Sequence, residues 1–293
     1  MLAGTTYGQP KLKAVREPVA AGRFYPADEG ALRKEVNSYL DKIPEKNLPG
    51  KPVALISPNA GYKYTGIVAA HGYSKIKSHN YKRVIILAPS HYGRFKGVSI
   101  SLVSHYRTPL GLVALDSEVC NKLLAQPPLF GTEPQADKRE YSIENQLPFL
   151  QTVLKDFKIV PLLFGTLSRE NVQKVADAIK PFITNDTLLI ASSDFTKYGD
   201  AFSYTPFRKN IEENIKKLDY GAFNRILALD SKGFLRYRIE TGITADGFLP
   251  IGILLRLLPS DAKGTLLGYD TSGRQSGDFT YSGSYASIVF TKP

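Results

Sequence analysis

Residues 53–62 read VALISPNAGY, an apolar run that breaks at Pro58 and gives way to a small, polar, glycine-containing loop. A short unbroken apolar run is the mark of a strand covered on both faces rather than one. Three further runs are of the same kind: RVIILA at 83–88, KIVPLLFG at 158–165 and TLLIAS at 187–192. Helical patterns separate them. Residues 28–43 place Leu32, Val36, Tyr39, Leu40 and Ile43 at intervals of three and four behind Asp28 as an N-cap. Helices are also expected over 65–77, over SIENQLPFLQTVLK from Ser142, with Ser142 and Glu144 at its start, and over the segment that Ser168 opens.

Strand and helix alternation of this kind builds right-handed crossovers. The expected fold is therefore α/β, with a largely parallel or mixed central sheet and helices on both faces, a three-layer αβα arrangement. Near the end, TLLGYDTSG and GSYASIVFTK are two strand-like segments joined by a polar, glycine-rich connection, expected to pair at or beside the main sheet. No repeat or linker divides the chain, so residues 1–293 form one domain, with 1–15 as an N-terminal extension.

A chain of 293 residues buries a core without disulfides, and Cys120 is its only cysteine. Cys120 lies on a helical pattern with Val119, Leu123 and Leu124, which marks it as a packed thiol. No apolar stretch approaches a membrane span or a signal sequence, and the expected location is the cytoplasm. The net charge of +11 raises the question of nucleic acid, but the basic residues are scattered in pairs such as Lys82 and Arg83, with no nucleic-acid motif beside them. They read as a solvated surface.

Three of the buried strands end in unusual loops: SPNAGY, PSHYGR and SSDFTKYG. In an open parallel sheet the loops at the carboxyl ends of the strands share one edge, where ligand sites form. Asn59, His91 and Asp194 are thus expected as neighbours. Of the four histidines, His79 falls in a polar connection, His71 inside a helix, and His105 after a strand-like run. His91, at a strand end, is the one placed for chemistry.

The ordered motifs VREPVAAGRFYPAD, SPNAGYKYTGIVAAHGY, ILAPSHY, SIENQLPFL, ASSDFTKYG, LPIG, YDTSG and GSYASIVF, from Arg16 to Phe290, resemble the Memo family. The resemblance implies a class III extradiol dioxygenase-like fold. In metal-binding members the ligands are the histidine of PHAGY, the histidine of PSH and a cysteine shortly before PIG. Carried over, these positions are Asn59, His91 and Asp246, so one imidazole remains. The family's EHSIE reads EYSIE, with Tyr141 in the histidine's place and Glu144 kept, and SSDF is kept as Ser192 to Phe195.

A metal set of His91, Asp246 and Asn59 has moved from the iron or copper of relatives toward a hard divalent ion or none. Extradiol ring cleavage is not expected. If the site is an enzyme, His91 is its general acid or base, Asp246 a ligand or base, and Asp194 and Glu144 anchor an imidazole tautomer. Asn59, Tyr62, Tyr141 and Tyr198 are the expected ligand contacts. The resemblance leaves three roles open: an acid–base or metal-dependent oxidoreductase, a binding module for a small acidic or peptide ligand, as phosphopeptide recognition proposed for animal relatives suggests, and a partner of a radical SAM protein and an AMMECR-type protein.

Overall fold

The structure, a computed structural model, describes residues 14–45 and 48–292. Of the expected extension, residues 1–13 lie outside the described residues, and its last two open a short strand, Ala14–Arg16. The large sheet runs in the order Lys197–Gly199, Tyr281–Lys292, Lys51–Ser57, Thr187–Ser192, Arg83–Pro89, Lys158–Phe164, Val98–Ser99, Phe130–Gly131. Its four central strands, the four apolar runs of the sequence, are mutually parallel. Antiparallel neighbours flank them, so the sheet is mixed. The last strand also carries Lys263–Thr271 on its other side, which completes the hairpin expected at the chain's end.

Helix placement follows from strand order. The Tyr62–Ile76 helix carries the chain from Lys51–Ser57 across to Arg83–Pro89, whereas Arg169–Ile179 carries it back from Lys158–Phe164 to Thr187–Ser192. Right-handed crossovers that travel in opposite directions put their helices on opposite faces. Glu29–Leu40 and Leu147–Val153 pack with the first of these helices, while Phe248–Leu257 and Ser231–Thr241 pack on the side of the second. The result is three layers.

Two helix starts behave as expected. Asp28 accepts from the Ala31 N–H at 2.8 Å, and Ser168 from that of Asn171 at 3.2 Å. The third does not. Ser142 donates to the Pro89 carbonyl at 2.9 Å instead of capping, and a 3-10 turn over Glu144–Gln146 precedes the helix. Pro148, in the first turn, has no N–H to bond backward, which suits it to begin the helix there. Cys120 is buried on Ser117–Leu124, where burial pushes its thiol up to about 12. No helix among the described residues is long and apolar enough to cross a membrane.

Candidate functional site

Opposite crossover directions leave a gap at the carboxyl ends of the central strands, and the chain fills it with the three loops. His91 follows Arg83–Pro89, Asn59 follows Lys51–Ser57, and Asp194 follows Thr187–Ser192. Asp246 arrives from the opposite direction, just before the Phe248–Leu257 helix. The four meet. His91 Nε2 lies 3.2 Å from Asp246 Oδ2, and Asn59 Nδ2 lies 3.4 Å from Asp246 Oδ1. Asp194 supports the arrangement from below: its Oδ1 accepts from the Asn59 N–H at 2.9 Å, and its own N–H donates to Asp246 Oδ1 at 2.9 Å.

Two residues that the sequence reading passed over complete the cluster. The Lys197 ammonium, carried on the strand that continues the SSDF loop, donates to Asp246 Oδ2 at 2.6 Å and stands 3.8 Å from Asp194 Oδ2. Glu140 holds His91 twice, accepting from its backbone N–H at 2.6 Å and lying 2.9 Å from Nδ1. Both are largely shielded from water, as is the imidazole.

Charge placement sets the protonation states. Burial works against a charged imidazole, but hydrogen bonds to Asp246 and Glu140 outweigh it and push His91 up to about 10. Burial likewise opposes charge on Asp246, yet the Lys197 ammonium and His91 hold it well below the usual carboxylate range. Asp194 is pushed up to about 6, by burial and by the charge of Asp246 beside it. The cluster is thus an imidazolium and an ammonium facing three carboxyl groups.

The remaining expected residues fall elsewhere. Glu144 does not anchor the imidazole. Its carboxylate accepts from Arg16 Nη1 at 3.0 Å, from the N–H groups of Val19 and Ala20, and from the Tyr25 hydroxyl, so it pins the first described segment to the core. Asp194 contacts backbone N–H groups rather than the imidazole. Tyr62 and Tyr198 are buried with their hydroxyls committed to the Asn145 and Phe207 carbonyls, leaving no surface for a ligand. Tyr141 does reach the site, stacked on the His91 ring at 4.7 Å between centroids and an angle of 12°.

The donor set does not fit a transition metal. An imidazole ligates through a nitrogen lone pair, and both ring nitrogens of His91 already face carboxylate oxygens, Glu140 at 2.9 Å and Asp246 at 3.2 Å, so neither faces an open coordination position. The Asp246 oxygen that would ligate already faces an ammonium. Among the described residues no three His, Cys, Asp or Glu side chains converge to hold a metal ion.

Asp246 also borders a cavity of about 290 Å³ whose polar wall includes Ser90 and Arg94 and whose apolar wall includes Phe164, Leu167 and Phe248. Asn59 Oδ1, fully buried, has no hydrogen-bond partner.

Comparison with known proteins gives one consistent result. A family model described as Memo-like protein matches residues 16–289. A MEMO1 family protein of Sulfolobus acidocaldarius is 34% identical over 292 residues, which cover 94% of this chain and 99% of that relative. One from Nitrosopumilus maritimus is 32% identical over 288 residues, at 94% and 99% coverage. A protein memo-1 homolog of Caenorhabditis elegans is 33% identical over 243 residues, covering 80% of this chain and 69% of the relative.

Proposed function

This chain belongs to the Memo family, with the extradiol dioxygenase-like α/β fold of that family, and from that premise we propose that its strand-edge site works without a metal ion, as a binding site for a small ligand. The observation that carries the reading is the contact of Lys197 Nζ with Asp246 Oδ2 at 2.6 Å. An internal ammonium there supplies the positive charge that a metal ion would bring, and it is already neutralised by the carboxylates around it.

What the site offers a ligand is a donor, the Lys197 ammonium, and an apolar cavity that Asp246 borders. Of the two cations only the ammonium has N–H groups to spare, since both ring N–H groups of His91 are taken by Glu140 and Asp246. Asn59 Oδ1, fully buried without a hydrogen-bond partner, costs about 1–3 kcal/mol and lies out of a ligand's reach. Tyr141, stacked on His91, supplies an aromatic wall, and the cavity beside Asp246 takes an apolar body of modest size. Every ionised group in the cluster has a counter-charge, so none stands ready as a nucleophile, and binding without turnover is the role this favours.

Elemental analysis of protein purified without added metal tests the reading. Iron, copper, zinc and manganese are each expected far below one equivalent. A stoichiometric content of any of them, removed by chelation together with a drop in melting temperature, would overturn it.

A further inference from the structure

Basic residues that stand apart along the chain converge on one groove. The helices Arg169–Ile179, Ser231–Thr241 and Phe248–Leu257 contribute to a depression of about 630 Å³. Five cationic side chains line it, namely Arg169, Lys232, Arg236, Arg238 and Arg256, and no carboxylate does. None of the five is ion-paired with a carboxylate among the described residues. The scattered pattern of the sequence is therefore not the pattern of the surface here.

The wall between the charges is aliphatic, with Leu235 and Ile239 prominent, and Ile239 is 72% exposed. The Arg238 guanidinium lies 3.7 Å from the centre of the Phe248 ring. Arg256 donates to Gln173 Oε1 at 2.5 Å, yet the Nε atoms of both Arg238 and Arg256 are buried without a hydrogen-bond partner. Cations gathered without a counter-charge repel one another, and buried N–H groups without an acceptor are costly. One kind of ligand supplies the missing counter-charge. An oxyanion matches the fork of a guanidinium, and an apolar body attached to it covers the exposed aliphatic wall. A nucleic-acid backbone would bring the phosphates but leave Ile239 uncovered.

We propose that this groove binds a small amphiphilic anion, with a carboxylate or phosphate-monoester head on Arg236, Arg238 and Arg256 and an aliphatic or aromatic body against Leu235, Ile239 and Phe248. The volume falls in the range of small-molecule sites, about 300–1,000 Å³. Leu167, Phe248 and Leu249 line both this groove and the cavity at Asp246, so the two are close neighbours. The proposal does not rest on the metal-free reading of that site: stoichiometric iron in the wild type would refute the one and leave the other standing.

The test is displacement of the fluorescent probe 1-anilinonaphthalene-8-sulfonate from the full chain by octyl phosphate, octanol and octyltrimethylammonium. Octyl phosphate is expected to displace one equivalent of probe and the other two to fail. Lys232 and Arg236 are exposed, so Lys232→Glu with Arg236→Glu should leave the fold intact. That pair of changes should weaken octyl phosphate by about tenfold or more, as loss of charge-assisted hydrogen bonds does. Ile239→Ser should weaken it as well. Equal displacement by octanol, or unchanged affinity in the charge-reversed variant, overturns the proposal. Binding to phosphatidylglycerol vesicles with octyl phosphate ineffective also overturns it, in favour of a membrane contact.

Discussion

Glu140 grips His91 at two points, one carboxylate oxygen 2.6 Å from the backbone N–H and the other 2.9 Å from Nδ1. The backbone contact fixes where the strand-end loop stops, and the ring contact fixes which way the imidazole faces, so Nε2 is aimed at Asp246. Arg16 reinforces this from behind by donating to the Glu140 carbonyl.

Glu140→Gln keeps an oxygen for the backbone N–H but removes the negative charge. The pKa of His91, pushed up to about 10, should fall by about 1–2 units, read by an NMR titration of the ring nitrogens. A histidine whose folded pKa is raised contributes stability that is complete below its unfolded value near 6.5 and is lost as pH rises through the folded value. The wild type should therefore lose stability between roughly pH 6.5 and 10, and the variant less. An unmoved imidazole titration would refute the assignment.

Lys197→Met leaves Asp246 and Asp194 side by side with His91 as the one cation nearby. Removing one partner from a buried charge cluster costs about 3–5 kcal/mol. Urea unfolding of the variant at neutral pH should show a loss of that order, and millimolar Mn²⁺ should restore part of it by replacing the lost charge. A variant as stable as the wild type would mean that the ammonium is a surface group.

How much of this was legible beforehand depends on what each residue required. Asn59, His91 and Asp194 could be brought together because a break at the end of each buried run, with a parallel sheet, forces the three loops to one edge. Lys197 could not. Its side chain is aimed at Asp246 by the pairing of Lys197–Gly199 with residues 281–283, a contact across the chain that no local pattern announces. Glu140 and Glu144 look alike in EYSIE. What separates them is Arg16, which arrives from 128 residues away in sequence and claims Glu144 for the core. Tyr62 and Tyr198 were lost to ligand binding for a similar reason, since each found a buried carbonyl for its hydroxyl.

Asn59→His alone should not restore a metal site, because the ammonium still occupies the Asp246 oxygen and His91 Nε2 still faces that carboxylate. With Lys197→Met in addition, the Asp246 oxygen loses the ammonium that occupies it and the site gains net negative charge, so a divalent ion that displaces the His91 proton finds two imidazoles and a carboxylate. Metal content after growth in iron-supplemented medium should be near zero for the single variant and approach one equivalent for the double. Iron bound by the single variant would show that Lys197 moves aside easily, and the metal-free reading would lose its main support.

Away from the site, Asp219 should give the protein a pH signature of its own. It lies fully buried on the Ile211–Leu227 helix. Its Oδ1 accepts from the Thr196 N–H at 3.1 Å and the Thr196 hydroxyl at 2.6 Å, and its Oδ2 from the Tyr269 hydroxyl at 2.7 Å. These three bonds favour the carboxylate, but burial outweighs them and pushes Asp219 up to about 6. An acid whose folded pKa is raised binds its proton more tightly when folded, so its contribution to stability is greatest below the unfolded pKa near 3.9 and declines as pH rises toward 6. The decline amounts to about 3 kcal/mol across that window. Asp219→Asn retains an oxygen to accept from Thr196 and has no proton to lose. The gap in unfolding free energy between wild type and variant, followed by urea titration from pH 4 to pH 7, should therefore shift in the variant's favour as pH rises and level off above about pH 6. Parallel curves across that range would show that the three hydrogen bonds keep Asp219 ionised throughout, and that the Thr196–Tyr269 bridge is held by a charge rather than by an acid that gives up its proton near pH 6.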